Sequence, residues 1–451
     1  MKKNLDLLLI NPWIYDFTAY DFWSKPLGLL YIASILRENN YRINYIDCVD
    51  CNNPEILEFP QKRFPRKDEF GRGSFYKEEV KKPEVIKNIP RRFSRYGITE
   101  DIFRQELKKI PPPQAVLITS IMTYWYPGVF RVIQIIKQAF PGVPIILGGI
   151  YATLCFDHAS KFSGADYVIA GNEIKDLLRI LEQITKNKIK YSETGKGLDC
   201  LPYPAWDLYP NLDYICLLSS QGCPFRCSYC ASFKINPKLE FRNPEKVANE
   251  IKYWNKRRGI KDYVFYDDAL LIDSEEKFLV VLDRLIDMRL TVRLHTPNAI
   301  HARMINKKIA DKMYQAGVET IRLGFETVNS LMQSETGGKV TNIEFKEAVN
   351  NLLKAGFKSS QIGAYLLIGI PGQNIQEIFD SIKFVIECGA HPRLAKFSAI
   401  PGVKIWEKAR IYFKIGENAD PLLHNDALLP YLSPDITTEV YQKIKFLVNI
   451  K

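Results

Sequence analysis

The chain reads as an α/β protein with two successive parallel-sheet domains: a doubly wound, Rossmann-like sheet, then a partial (βα)6 barrel of the TIM type with a small helical tail. Three observations predict this. Short apolar runs of strand length alternate with helix-period segments through both halves. A stretch at 187–213, marked by Pro202, Pro204 and Pro210, interrupts the alternation. The one tight group of cysteines, Cys223, Cys227 and Cys230, falls directly after the first strand of the second half.

Length and composition set the bounds. The 451 residues allow two or three domains. Hydrophobic residues make up 46% and charged residues 25%, ordinary for a globular protein. No apolar window of about 18 residues suggests a membrane-spanning helix. Met1-Lys2-Lys3-Asn4 runs straight into a strand pattern without a signal peptide, so a cytoplasmic protein with reduced thiols is expected. Nine scattered cysteines do not form a disulfide framework. The net charge of +11 is uneven, since residues 61–110 hold 15 Lys/Arg against 8 Asp/Glu. That stretch reads as a solvated insertion rather than an RNA-binding face, because no added RNA-gripping module accompanies it.

The first domain spans 1–186, with strands at 5–11, 42–47, 115–120, 143–147 and 165–169 and helices at 26–40, 128–140 and 173–184. The basic insertion occupies about 52–112. Ligands of such sheets bind at the carboxyl ends of the strands. After the linker 187–213 comes the barrel, 214–405, with six strands near 215–220, 263–266, 291–295, 320–325, 361–370 and 394–400. Its helices fall at 244–257, 275–288, 307–316, 343–355 and 375–388, and a helical cap at 406–451 ends the chain. Barrel chemistry belongs at the C-terminal strand ends.

The cysteine loop reads Ser220-Gln221-Gly222-Cys223-Pro224-Phe225-Arg226-Cys227-Ser228-Tyr229-Cys230, a C-x3-C-x2-C pattern at such a strand end. Thiolates are the usual iron–sulfur ligands. Three of them cap three irons of a cubane and leave the fourth open, as a catalytic site requires. A Cys3His zinc site would need a nearby histidine, and the nearest in sequence are His158 and His295. Three core cysteines that happen to lie close are the structural alternative.

With an aromatic residue before its last cysteine, this loop resembles that of the radical S-adenosylmethionine (SAM) superfamily, and the likeness extends over roughly 215–405. The resemblance implies a [4Fe–4S] cluster whose open iron binds SAM. One electron then cleaves SAM to methionine and a 5′-deoxyadenosyl radical that abstracts hydrogen from substrate. It also implies an electron donor such as flavodoxin or ferredoxin. By the same resemblance Tyr229 helps hold adenine, and Asp267 or Asp268 at the second strand end meets the methionyl amine. Glu326 at the fourth strand end contacts ribose or the methionyl group, with Arg322 as its ion-pair partner, and Ile400 at the sixth adjoins adenine. A cap or turn role is the plain alternative for either aspartate. His295–Arg303 would form a polar pocket wall, and the glycines of Gly369-Ile370-Pro371-Gly372 would permit close backbone approach or simply make a turn.

A Rossmann-like domain ahead of this barrel resembles the cobalamin-binding subgroup. Gly148-Gly149 and the run Ala165–Glu173 match its strand ends, and these glycines would let the corrin's nucleotide tail lie against the sheet. The loop Asn11-Pro12-Trp13-Ile14-Tyr15-Asp16 departs from the D-x-H-x-x-G pattern whose histidine ligates cobalt. Tyr124, Trp125 and Tyr126 would either pack on a corrin or fill its space. Cys48 and Cys51 read as incidental thiols and do not reproduce the extra cluster of methylthiotransferases.

Three functions follow: cobalamin-dependent methylation of an unactivated carbon, another radical rearrangement or hydrogen abstraction without cobalamin, or a non-catalytic iron–sulfur protein. The expected substrate is a small or lipid-like molecule that the sequence does not identify; nucleic acid is not expected.

Overall fold

The computed structural model describes residues 5–57, 65–172, 174–190 and 197–449. Glu173, residues 61–64 of the basic stretch, 191–196 of the expected linker, and both chain ends lie outside the described residues. The chain forms two compact units. One comprises Met1–Lys196, Cys200–Asp213 and Asp420–Leu422; the other comprises Gly197–Asp199, Tyr214–Ala419 and Leu423–Lys451.

The first unit is built on five parallel strands: β1 (Asp6–Asn11), β2 (Arg42–Asp47), β3 (Ala115–Ile118), β4 (Ile145–Leu147) and β5 (Tyr167–Val168), in the order β5-β4-β3-β1-β2. This is the flavodoxin-like order, with its switch point between β1 and β3. The continuous apolar run of β1 is explained by burial on both faces: Leu7, Leu8, Leu9 and Ile10 are all fully inaccessible. Helices Leu27–Glu38 and Tyr126–Ala139 follow β1 and β3 in the chain.

The basic stretch carries short strands and some buried residues among its exposed ones. Ile14–Asp16 pairs antiparallel with Ser94–Tyr96, which also pairs with Lys77–Glu79. Tyr20–Asp21 pairs with Gly73–Ser74. Strands of two or three residues are too short to show a period, so alternation could not reveal them. Within it, buried Arg95 donates to Glu78 and Glu100. Phe93 and Phe103 are core residues, and Trp13 packs edge-on to Phe103 at 4.9 Å. Cys48 and Cys51 are buried in the same unit, where burial raises both thiols.

The second unit carries six parallel strands in sequential order: β6 (Tyr214–Leu217), β7 (Asp262–Phe265), β8 (Arg293–His301), β9 (Val318–Glu326), β10 (Ile362–Ile368) and β11 (His391–Lys396). The sheet is open, since β6 and β11 are its two edges. The crossover helices are punctuated as their sequences suggest. Asn243, Asn306, Thr341 and Asn374 cap helix N-termini with their side chains. Thr341 and Glu344 form a reciprocal capping box, and Gly259 and Gly356 end helices in the left-handed region. Helices Trp406–Tyr412, Leu429–Leu432 and Thr438–Asn449 occupy the chain's end.

His295 departs from the expected pocket wall. It is wholly buried low in β8, between Thr320 (3.1 Å) and Asp262 (3.0 Å), the first residue of β7. That end of the strands is opposite the cysteine loop. No helix among the described residues is long and apolar enough to cross a membrane.

One close approach fixes the first unit. A Cβ on Gly128 would lie 1.9 Å from the backbone oxygen of Trp13. Gly128→Ala is therefore expected to destabilise this unit by about 1–3 kcal/mol. Urea unfolding followed by tryptophan fluorescence measures it; an unchanged midpoint would show that the Trp13 segment yields freely.

Candidate active site at the cysteine loop

The loop departs from a heavily braced base. Asp267, at the end of β7 and 2% exposed, accepts from the backbone N–H of Ser219 and from both serine hydroxyls, at 2.5 Å (Ser219) and 2.7 Å (Ser220). The backbone N–H of Ser220 donates to it as well. Asp268 accepts from the Gly222 N–H (3.0 Å) and the Asn236 amide (2.9 Å). On the other side, Arg242 donates to the Leu218 carbonyl at 2.9 Å and pairs with Glu250 at 2.7 Å. This pair is buried, 3% and 1% exposed. Gly222 has φ +85, and a Cβ there would meet the Lys238 oxygen at 2.1 Å, so only glycine turns the chain here. Both aspartates thus engage the cysteine loop itself.

Beyond Gly222 the loop is seated on two further segments. Ser228 N–H donates to the Thr336 carbonyl at 3.2 Å, and Ile405 N–H donates to the Ser228 carbonyl at 3.0 Å. The second contact ties the chain just past Ile400, itself partly buried beyond β11, to the loop. Gly337 backs directly on Cys227: a Cβ would come within 2.9 Å of its sulfur.

All three cysteines are free thiols, and Cys227 is 5% exposed. Burial raises all three, Cys227 to about 11, while the Lys339 ammonium pulls each down. Ser232 N–H points at the Cys230 sulfur at 3.4 Å. No three His, Cys, Asp or Glu side chains among the described residues are gathered around a single metal ion. Three cysteines on one loop offer a thiolate to each of three irons of a cubane, so the donor set fits a cluster with one open iron.

Tyr229, Glu326 and Lys339 form a half-buried triangle beside the cysteines. The Tyr229 hydroxyl donates to Glu326 at 2.7 Å, and the Lys339 ammonium lies 3.0 Å from both. Burial raises the phenol far above its usual range and Glu326 adds to this, so it stays protonated and donates. Burial alone would lower the Lys339 ammonium, but Glu326, Tyr229 and Cys227 raise it well above its usual range. Glu326 has φ +70, beside a register shift between β9 and β10. A non-glycine residue there is strained by roughly 1–3 kcal/mol, and such strain concentrates at functional sites.

The sequence pointed to Arg322 as the partner of Glu326, and the structure gives Lys339 instead. Arg322 is buried two turns of the pleat below, with its guanidinium against Gly363, where a Cβ would meet Nη1 at 2.9 Å. The partner is Lys339, hidden in a Gly337-Gly338-Lys339 turn whose signal was a cation following two glycines. Gly148 and Gly149 belong to the first unit, at the end of β4. Gly149 has φ +89 and abuts the Ser120 backbone, while Gly148 faces open space.

Residues 217–385 match the radical SAM superfamily profile. This stretch is a radical SAM domain. The superfamily uses a [4Fe–4S] cluster and SAM, for which the three-cysteine loop provides the ligand set. The chain is 23% identical to an uncharacterised methyltransferase of Pyrococcus horikoshii over 69% of its own length and 73% of that protein. It is 21% identical to the cytidylyl-2-hydroxyethylphosphonate methyltransferase of Streptomyces wedmorensis, over 86% and 78%. In fold it is similar to the radical SAM methyltransferase TsrM of Kitasatospora setae, solved with cobalamin and a [4Fe–4S] cluster. That match has a TM-score of 0.64 at 14% identity, covering 89% of this chain and 77% of TsrM. It is also similar to OxsB, solved with aqua-cobalamin and SAM, with a TM-score of 0.59 at 12% identity over 97% of this chain and 57% of OxsB.

Two substitutions check the site. Cys227→Ala should abolish reductive SAM cleavage and lower iron uptake; full cleavage would refute the ligand assignment. Asp267→Asn replaces an acceptor-only group with one that must donate. It should cut cluster loading several-fold, measured as iron and sulfide per chain after anaerobic reconstitution.

Proposed function

We propose that this radical SAM enzyme is a cobalamin-dependent methyltransferase acting on an unactivated carbon. One observation carries the reading: a flavodoxin-order sheet with a glycine turn at a strand end precedes the SAM barrel in the chain. TsrM and OxsB, solved with cobalamin, share the fold over most of this chain's length. The curated methyltransferases it resembles agree with it.

When bound, the cluster supplies the electron that cleaves SAM, and cobalamin supplies the methyl group. The chain's own residues hold and orient. Cys223, Cys227 and Cys230 take the cluster, and Asp267 fixes the loop that presents them. Tyr229 and Ile400 border the adenine, Glu326 accepts from ribose or the methionyl group, and Asp268 faces the methionyl amine. Gly148 and Gly149 give the corrinoid tail backbone to lie against. His158 is engaged by the Tyr151 hydroxyl at 2.6 Å, so this reading places no protein histidine on cobalt. The reductant is a flavodoxin- or ferredoxin-type donor in the cytoplasm, and the substrate is a small or lipid-like molecule.

A second reading keeps the radical chemistry and drops cobalamin. It is favoured by crowding at the switch point of the first unit, where the space between Asn11, Trp13, Ser24, Val49, Ser120 and Trp125 is about 10 Å³. Trp13 is 1% exposed, and Trp125 donates to Asp16 at 2.8 Å. That volume holds about one water, not a macrocycle. Anaerobic reconstitution with iron, sulfide and hydroxocobalamin decides between the two. Stoichiometric cobalamin and label transfer from methyl-labelled SAM are expected; a loaded cluster that cleaves SAM but retains no cobalamin would favour the second reading.

A further inference from the structure

His301 ends β8, and its imidazole is 3% exposed. Neither ring nitrogen has a hydrogen-bond partner within the protein. Buried polar groups are rarely left so, and each exception points to a missing partner. The ring stacks on Phe225, with centroids 4.5 Å apart and planes 24° from parallel. Phe225 lies between Cys223 and Cys227 in the cysteine loop.

The neighbourhood closes the other options. Arg303, two residues on, donates to the Gly338 carbonyl at 2.6 Å, and the adjoining Gly337 abuts Cys227. Burial, then Lys339 and Arg303, lower the imidazole to about 4, so it is neutral. A neutral imidazole has one N–H donor and one acceptor nitrogen. The nearby cations are already committed: Lys339 to Glu326 and Tyr229, and Arg303 to Gly338 and Glu344. What the donor lacks is an electron-rich acceptor, and the loop it packs on is the one that holds sulfur.

We propose that His301 donates a hydrogen bond to the sulfur of the iron–sulfur cluster and thereby sets the cluster's reduction potential. Hydrogen bonds to cluster sulfurs tune these potentials. The bond strengthens when the cluster gains an electron, so it favours the reduced form that SAM cleavage needs. His301 is a positioning residue of the electron-transfer step; no proton leaves it. The inference is independent of whether cobalamin binds.

The test is a redox titration of the reconstituted full chain without SAM, followed by EPR of the reduced cluster. His301→Phe keeps the stack and removes the N–H. Its reduction equilibrium should become about ten-fold less favourable, which for one electron is about 59 mV lower. His301→Gln keeps an N–H donor and should recover most of that shift. An unchanged potential in a fully loaded His301→Phe protein overturns the proposal, as does an equal shift in both variants. A shift that appears only after SAM is added assigns His301 to SAM instead and also overturns it. Should His301→Phe fail to fold, pulsed EPR of the wild-type protein with nitrogen-15 histidine decides. A weak histidine nitrogen coupling is expected, and its absence overturns the proposal.

Discussion

The second unit is organised around a single buried carboxylate. Three cysteines on one loop present three corners of a cubane only if the loop leaves the barrel in one conformation. Asp267 imposes that conformation by accepting from both the backbone and the hydroxyls of Ser219 and Ser220. A carboxylate ringed by donors in low dielectric holds its partners far more stiffly than a solvated turn would. Arg242 and Glu250 brace the opposite side of the same two-residue base. Strand end, cysteine loop and first crossover helix are thus fixed by charges that never reach solvent.

The strain at Glu326 belongs to the same design. A left-handed residue at the end of a barrel strand turns its side chain toward Tyr229 of the cysteine loop, where a regular strand would carry it along the pleat. Lys339 reaches the same two groups from a glycine turn. Loop, fourth strand and following turn therefore meet at one hydrogen-bonded point, which couples the cluster ligands to the groups proposed to hold SAM.

The barrel sheet was legible because its strands are separated by capped helices, and the first sheet because its central strands are continuous apolar runs. The run Leu7–Ile10 and the caps Asn243, Asn306, Thr341 and Asn374 are signals that local chemistry writes directly into the sequence. The cysteine spacing was legible for the same reason: its three ligands lie within one loop. What the sequence did not show was tertiary. Lys339 lies thirteen positions beyond Glu326, and no spacing rule joins them. The small sheets within the basic stretch have two- and three-residue strands that carry no period. His295 looked like a pocket residue because it lies on a barrel strand, but position along that strand decides its role, and it lies at the wrong end. His301, six residues further, lies at the right one.

The bracing of the cysteine loop has a consequence for how the protein matures. The hydrogen bonds that hold the base of the loop come from the barrel itself, so the entropy of ordering that base is charged to folding. Cluster capture then adds bonds to a frame already in place, and its thermodynamic demand shifts from folding to acid–base chemistry. Burial holds the three thiols protonated, with Cys227 near 11, and iron binds only thiolate. Maturation of this enzyme is in effect an exchange of protons for irons across a rigid template. Lys339 eases that exchange, because its ammonium favours each of the three sulfurs giving up its hydrogen.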